Sequence, residues 1–457
     1  MEVDEIKTRN QWKTKTDKRK AKAADKGIVE LIFIIRHFFK GKFNDWINEM
    51  TDPRHPSYTV YTQSDLVNLG ILKNICAVGS MRQMNETFNE DTCIETLAIM
   101  SGNASLEEMP DYGTLNYYLE QLSPECLSGL RKKMATELIR SKAFNQGRLQ
   151  GKYWIVILDG TGLFHFQERH CENCLVREYT DKDGNKKKGY YHKVLEAKIL
   201  LAENLVISLG TEFIENEQEG VAKQDCENKA AKRLMARIKE EYPRLPICIL
   251  GDGLYCVEPV MEICRRYGWK YLLNLKEGTQ PNITKEYFYL ADNGEAKTIE
   301  NACREKGRIR YYNHVEDVAG KTEVFNVLEY EYKDMEGKHR FLWATNMDIK
   351  KQNAEELAAC GRKRWKIENE GFNNQKNGIY RIEHLNSRNS NAMKNHYLLT
   401  QIADILMQLY LATNKLVRNI GQSIKNTSSR LLESFRRHTI NEEDVQYIER
   451  HTAVHFL

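Results

Sequence analysis

Long apolar runs are missing from this sequence of 457 residues. The most apolar stretch, Ile28 to Phe39, covers twelve residues and is interrupted by Glu30, Arg36 and His37. A membrane span needs about 20 apolar residues. The N-terminus also lacks a short apolar core ending in small residues: Glu2, Asp4 and Glu5 precede a Lys-rich stretch, so no signal peptide is expected. Charge of one sign is missing as well. Lys and Arg number 68 against 64 Asp and Glu, a formal net charge of +4. That excludes a uniformly basic coat that binds nucleic acid by composition alone, and leaves open a locally basic groove. A disulfide framework is not indicated either. The eleven cysteines are an odd number, mostly scattered singly along a chain with large apolar segments, which fits a reducing compartment.

What is present reads as a globular protein. Hydrophobic residues make up 41% and charged residues 29% of the chain, which predicts a soluble protein rather than a disordered one. At roughly 100–200 residues per domain, the length allows two to four domains. Residues 1–26 hold nine Lys or Arg and five Asp or Glu, and read as a basic arm, mobile or frayed. Residues 27–150 read as helical, a candidate DNA-binding region. Within them Ser123-Pro124-Glu125 fits a helix start with proline in the first turn.

The pattern changes at Lys152. Tyr153-Trp154-Ile155-Val156-Ile157-Leu158 is a continuous apolar, aromatic and β-branched run, the signature of a strand buried on both faces. It is expected to stop at Asp159-Gly160-Thr161-Gly162. Tyr190 to Leu201 and Leu205 to Ile214 read as strands, Gln224 to Tyr242 as an amphipathic helix, and Ile247 to Leu250 as a short buried strand before Gly251-Asp252-Gly253. A helix over Val257 to Tyr267 and a strand over Tyr271 to Leu275 follow. This order predicts an α/β fold, a mixed sheet flanked by helices, over 151–277. Over 278–347 the helical pattern is lost, and an inserted antiparallel β domain is expected. Residues 348–413 return to helix, as Asn353 to Asn377 and Asn391 to Leu411. The tail, 414–457, opens on a segment to Asn441 with six Lys or Arg (Lys415, Arg418, Lys425, Arg430, Arg436, Arg437) against Glu433.

Three carboxylates are placed where chemistry is possible. Asp159 and Asp252 each end a buried apolar strand and precede glycine. Strand ends are where α/β sheets put ligands, and also where Asp caps turns. Glu368 lies in Gly361-Arg362-Lys363-Arg364-Trp365-Lys366-Ile367-Glu368. On an ideal helical wheel Gly361, Trp365, Glu368, Phe372 and Lys376 fall within about 80°. The wheel therefore puts Glu368 on a core-facing stripe, where a carboxylate needs a partner or a metal. Arg364, four residues earlier, can pair with it.

The Arg-Trp-Lys-Ile-Glu string, preceded by Asp at the ends of two core strands, resembles the DDE insertion-sequence transposases with an RNase H-like catalytic core. It resembles in particular the branch with a Tyr-x2-Arg-x3-Glu-x6-Lys signature and a β-rich insertion before the Glu. The resemblance runs from about Lys152 to Leu411. It implies a catalytic triad of Asp159, Asp252 and Glu368 that also ligates two Mg²⁺ or Mn²⁺ ions. It implies DNA contacts from Arg364, Lys366 and Lys376. The partners it implies are transposon-end DNA and target DNA, with a homodimer in the synaptic complex and no membrane. The location it implies is the cytoplasm of a bacterium, in association with the nucleoid. The activity it implies is metal-dependent cleavage at transposon ends followed by strand transfer. A catalytically inactive DNA-binding relative and a related metal-dependent nuclease are the alternatives. The sequence departs from the signature twice: the Tyr position is Gly361, and the position seven after Glu368 is Gln375, with Lys376 one residue later.

Other residues fall outside that pattern. Cys171 and Cys174 have the spacing of zinc ligands and lie near His165, His170 and His192 in sequence, so a structural zinc is an alternative to free thiols. Trp343 is either a core residue or a stacking platform for a base. Lys188, Lys193, Lys198 and Lys276 are candidate phosphate contacts or ordinary surface lysines.

Overall fold

The computed structural model describes residues 27–276, 278, 280–315, 325–413, 423–437 and 440–451. The basic arm, Lys415 and Arg418 lie outside the described residues. The chain forms two compact units: Leu138–Asn374, and the residues up to Glu137 together with those from Gln375 onward.

The second of these is helical. Its elements are α1 (Gly27–Phe39), α2 (Phe43–Asn48), α3 (Gln63–Ile75), α4 (Met81–Phe88), α5 (Asp91–Ser101), α6 (Tyr112–Gln121) and α7 (Pro124–Arg140), the last of which carries the chain into the other unit. The start of α3 is fixed by a capping box, in which Thr62 accepts from the Asp65 amide and the Asp65 carboxylate accepts from the Thr62 amide. The long α12 (Ser390–Thr413) packs against α1, α3 and α6.

The unit Leu138–Asn374 is built on one sheet of eleven strands among the described residues. Its strands and helices are β1 (Arg148–Leu149), β2 (Tyr153–Phe166), β3 (Leu175–Thr180), β4 (Lys186–Ala202), β5 (Leu205–Ile214), α8 (Glu227–Glu241), β6 (Ile247–Gly251), α9 (Glu258–Tyr267), β7 (Lys270–Asn274), α10 (Pro281–Asp292), β8 (Lys297–Ala302), β9 (Gly307–Val315), β10 (Phe325–Asp334), β11 (Gly337–Thr345) and α11 (Ala354–Arg362). The order is β3-β4-β2-β6-β7-β11-β10-β9-β8, with β1 on β2 and β5 on β4. Strands β2, β6 and β7 are parallel, and the β2-β4-β5 side is antiparallel. The fold is therefore the expected mixed α/β sheet flanked by helices. One face is closed by α11: Ile155, Ile157, Cys248 and Leu250 share a core with Leu357, Ala358 and Cys360. Gly210 on β5 has no side chain to hold Leu234 and Ile238 of α8 away, and both pack against it.

Three local readings change. Strand β2 does not stop at Asp159 but runs on to Phe166, because β4 pairs with it throughout; the glycines are absorbed by a register slip between Gly162 and Phe164. Residues 278–347 are not free of helix. Pro281 opens α10, and Ile283, Tyr287 and Ala291 recur every fourth residue as its buried stripe. The meander β8 to β11 is antiparallel, but it continues the same sheet, since Trp343, Ala344 and Thr345 of β11 pair with β7. No helix among the described residues is long and apolar enough to cross a membrane.

Candidate active site

Strands β2 and β6 pair in parallel as far as Ile157 and Leu250, so Asp159 and Asp252, each two residues further on, come to one edge of the core. Asp159 accepts a hydrogen bond from the Gly160 amide at 2.9 Å. Asp252, the first residue after β6, caps the turn by accepting from the Leu254 amide at 2.9 Å, and Lys276 Nζ lies 3.8 Å from its other oxygen. Glu368 follows α11. Its Oε1 accepts from Arg364 Nη1 at 2.9 Å, and the same nitrogen lies 3.8 Å from Asp159 Oδ2. The buried Arg364 guanidinium therefore bridges the first and third carboxylates.

The electrostatics follow from that convergence. The Asp159 carboxyl is pushed up to about 7, first by burial, then by Glu368 and Asp252; Arg364 and the Gly160 amide oppose the shift. The hydroxyl of Tyr255 is pushed well above its usual range by burial and by Glu227, Asp159 and Asp252. Negative charge is in excess at this edge.

Glu227, at the start of α8, is the residue that sequence reasoning missed. Its carboxylate accepts from Tyr255 Oη at 2.8 Å and pairs with Lys193. It fills the space beside Gly160, where a Cβ would collide with it. The only hint in the sequence is the glycine after Asp159.

The wheel placing Trp365 and Glu368 on a buried stripe does not hold. Helix α11 ends at Arg362, and Ile367–Phe372 and Asn374–Gly378 are π-helical. An i→i+5 ladder adds a residue per turn, so a phase of 100° per residue fails. Trp365 is 50% exposed, with the Arg364 guanidinium 5.0 Å from its ring centroid. Gly361 instead packs flat on Trp343, where a Cβ would run into the indole. Trp343 is a core residue, 1% exposed and stacked on Phe341. Gln375 is buried and hydrogen-bonds Gln401 and Asp404, whereas Lys376 remains accessible and pairs with Glu383 at 2.8 Å.

Next to Arg364 a cleft of about 770 Å³ is lined by Lys338, Arg340, Arg362, Lys363 and Lys366, with Tyr332, Phe341 and Trp365 among its walls. Lys366 lies 3.0 Å from both Glu203 and Glu370. Of the other lysines, Lys198 is fully buried, Lys193 pairs with Glu227, and Lys188 lies 3.5 Å from Glu178. Lys198 and Lys193 are therefore not free surface lysines, whereas Lys188 is a largely exposed one.

A family profile described as the transposase DDE domain matches residues 150–404. The chain belongs to the DDE transposase family. The match spans more than half the chain, from just before β2 into α12. DNA transposition, with enzymatic cleavage and strand transfer, is the activity of this family, and divalent metal ions are its general cofactor. The solved cryo-EM structure of a piggyBac transposase synaptic complex with hairpin DNA is similar at a TM-score of 0.38 and 9% identity, over 93% of this chain and 84% of that one. No curated protein matches the transposase.

Proposed function

We propose that Asp159, Asp252 and Glu368 are the catalytic carboxylates of this transposase and hold two divalent ions, Mg²⁺ or Mn²⁺. The observation that carries this reading is the Arg364 bridge between Asp159 and Glu368, with Asp252 close enough to raise Asp159. The donor set fits the ions: all three groups offer hard oxygens, and a cation among them would offset the burial and the neighbouring Glu368 and Asp252 charges that raise the Asp159 carboxyl. Bound there, divalent ions supply activation of the attacking hydroxyl and stabilisation of the leaving oxygen. The chain's own groups do the rest. Arg364 holds Glu368 in place and neutralises the site before DNA arrives. Lys366, Lys376 and Arg364 contact phosphates. In cleavage, water attacks phosphorus at the transposon end and the 3′-oxygen leaves. In strand transfer, the freed 3′-hydroxyl attacks target DNA, so the two steps differ only in the nucleophile.

We assign the chain to the Tyr-Arg-Glu-Lys branch despite its two departures. Arg364 and Glu368 keep the signature spacing. The missing tyrosine is explained by Trp343, which fills the space over Gly361. The lysine comes one residue late in a π-helical segment, which consumes one extra residue. Transposon-end and target DNA are the partners, two copies hold two ends, and the enzyme works in the cytoplasm on the nucleoid.

The test is cleavage and strand transfer on DNA carrying the element's own ends, with Mg²⁺ or Mn²⁺. Asp159→Ala, Asp252→Ala and Glu368→Ala are each expected to abolish both steps while leaving DNA binding intact. Full activity in any one refutes the assignment. Cleavage without transfer would instead select a nuclease, and binding without cleavage by the wild type a catalytically inactive relative.

A further inference from the structure

We propose that Cys171, Cys174 and His192 bind a structural zinc ion, with His170 as fourth ligand, at the far end of β2 from Ile155. The ligand atoms of Cys171, Cys174 and His192 are already arranged for a metal. The two sulfurs are 3.5 Å apart, and each lies 3.4 Å from His192 Nε2. A tetrahedral zinc with bonds of about 2.3 Å to sulfur and about 2.0–2.1 Å to nitrogen separates such ligand atoms by about 3.5–3.8 Å. A disulfide would hold the sulfurs at about 2.05 Å. The cysteines are unlinked.

The surroundings are those of a built site. Cys174 and His192 are buried. Backbone groups of Asn173 and Cys174 hydrogen-bond to the Cys171 sulfur, and the Cys171 amide donates to Cys174 Sγ at 3.4 Å. On the other side of the His192 ring, Nδ1 lies 4.0 Å from a Glu215 oxygen. His170 stacks on Phe166 at 4.5 Å, with its ring centroid 6.4 Å from that of His192. His165 is not part of the set; it lies over Gly189, where a Cβ would come within 2.8 Å of its Nε2.

Two thiolates and two imidazoles in a closed tetrahedron select zinc over the hard cations of the carboxylate site. The loop carrying both cysteines joins β2 to β3, while His192 belongs to β4. The ion therefore pins that loop to β4. Asn216 reinforces the clamp, donating from Nδ2 to the Cys174 carbonyl at 3.0 Å and from its amide to the Asn173 carbonyl at 3.1 Å.

The experiment is metal analysis of untagged full-length protein purified without chelator. About one zinc per chain is expected. It should persist in the Asp159→Ala/Asp252→Ala/Glu368→Ala variant, which separates it from the catalytic ions, and vanish in Cys171→Ser/Cys174→Ser. Replacement by Co²⁺ should give the sulfur-to-cobalt charge-transfer absorption of thiolate ligation, a readout from wild-type protein that stands even if the serine variant fails to fold. His170→Ala should weaken retention against a chelator by about 10–100-fold; unchanged retention overturns the His170 assignment. Wild-type protein that holds no zinc and gives no charge-transfer band after Co²⁺ addition overturns the site, as does an isolated Cys171–Cys174 disulfide.

Discussion

Two glycines near the carboxylates are fixed by what faces them. Gly160 makes room for the Glu227 carboxylate. In Gly160→Ala the methyl group forces Glu227 to swing away from Tyr255 and Lys193. The carboxylate is the end of a flexible side chain, so the fold survives and the site does not. At least a tenfold loss of DNA cleavage is expected with a thermal midpoint within a few degrees of wild type; wild-type cleavage would show that Glu227 has no bearing on the chemistry. Gly361 faces the rigid, buried ring of Trp343 and has no such escape. Restoring the signature residue with Gly361→Tyr should destabilise the protein by about 3 kcal/mol or more in urea unfolding. Trp343→Ala alone should cost about 3–5 kcal/mol. If the two compete for one space, the double variant costs clearly less than the two single costs added; simple additivity sinks that explanation. Asp159, Asp252 and Glu368, the proposed carboxylates, could be picked out because each stands beside a strong local pattern. Glu227 could not. A glutamate in the first turn of a helix reads as an ordinary dipole partner, and only the packing of α8 brings it to a strand residue far away in sequence.

At the scale of elements, the strong periodicities were legible and their interruptions were not. The apolar runs of β2 and β6 and the stripe of α8 follow directly from burial. The passage from α11 into π-helix does not, because residues 353–377 carry a pattern that an unbroken helix would also carry. Helix α10 was present in the spacing of Ile283, Tyr287 and Ala291, but it falls inside the span read as an antiparallel insertion without helix. Helix α12 raises a different matter. It is apolar enough to be buried along most of its length, yet it carries Asn395, His396, Thr400, Gln401 and Asp404 inward. Asn395 donates to the carbonyls of Leu119 and Leu122, and His396 lies 3.2 Å from Asn116 Oδ1. Burial, with help from Lys73, holds the His396 imidazole down at about 3. The unfolded chain takes up this proton near pH 6.5, while the folded chain refuses it until about pH 3. The stability tied to neutral His396 is therefore complete above pH 6.5 and is lost as pH falls from there toward 3. By pH 4.5 the loss is up to about 2–3 kcal/mol. Urea midpoints at pH 7 and 4.5 check this: His396→Gln, which keeps a donor for Asn116, should lose less stability between the two than wild type does. An equal loss would remove His396 as a source of acid sensitivity.

For the whole molecule, a net charge of +4 looks poor for an enzyme that grips DNA. The balance instead averages an acidic edge, the proposed catalytic site, with a basic, aromatic cleft beside it. In that cleft the cations are paired with acids: Arg362 with Glu305 at 2.6 Å, Lys363 with Glu203 at 3.5 Å, and Lys366 with Glu203 and Glu370, Glu203 itself being part of the wall. These pairs are partly exposed, so each is worth little on its own and gives way readily to a phosphate. Composition could not reveal this arrangement, because pairing cations with acids cancels them in any count while leaving the cations in place. If the cleft carries DNA, its affinity must fall steeply with salt, with a slope of about 0.9 per phosphate neutralised on a duplex. Replacing Arg362, Lys363 and Lys366 together by Gln should then weaken binding of any duplex about equally, whether or not it carries the transposon end. It should also flatten the plot of log affinity against log salt by about 2–3. Binding measured from 50 to 200 mM salt on end-containing and unrelated duplexes decides it. An unchanged slope would place the DNA elsewhere on the protein, and a loss confined to the end sequence would make these residues readers of bases rather than holders of the backbone.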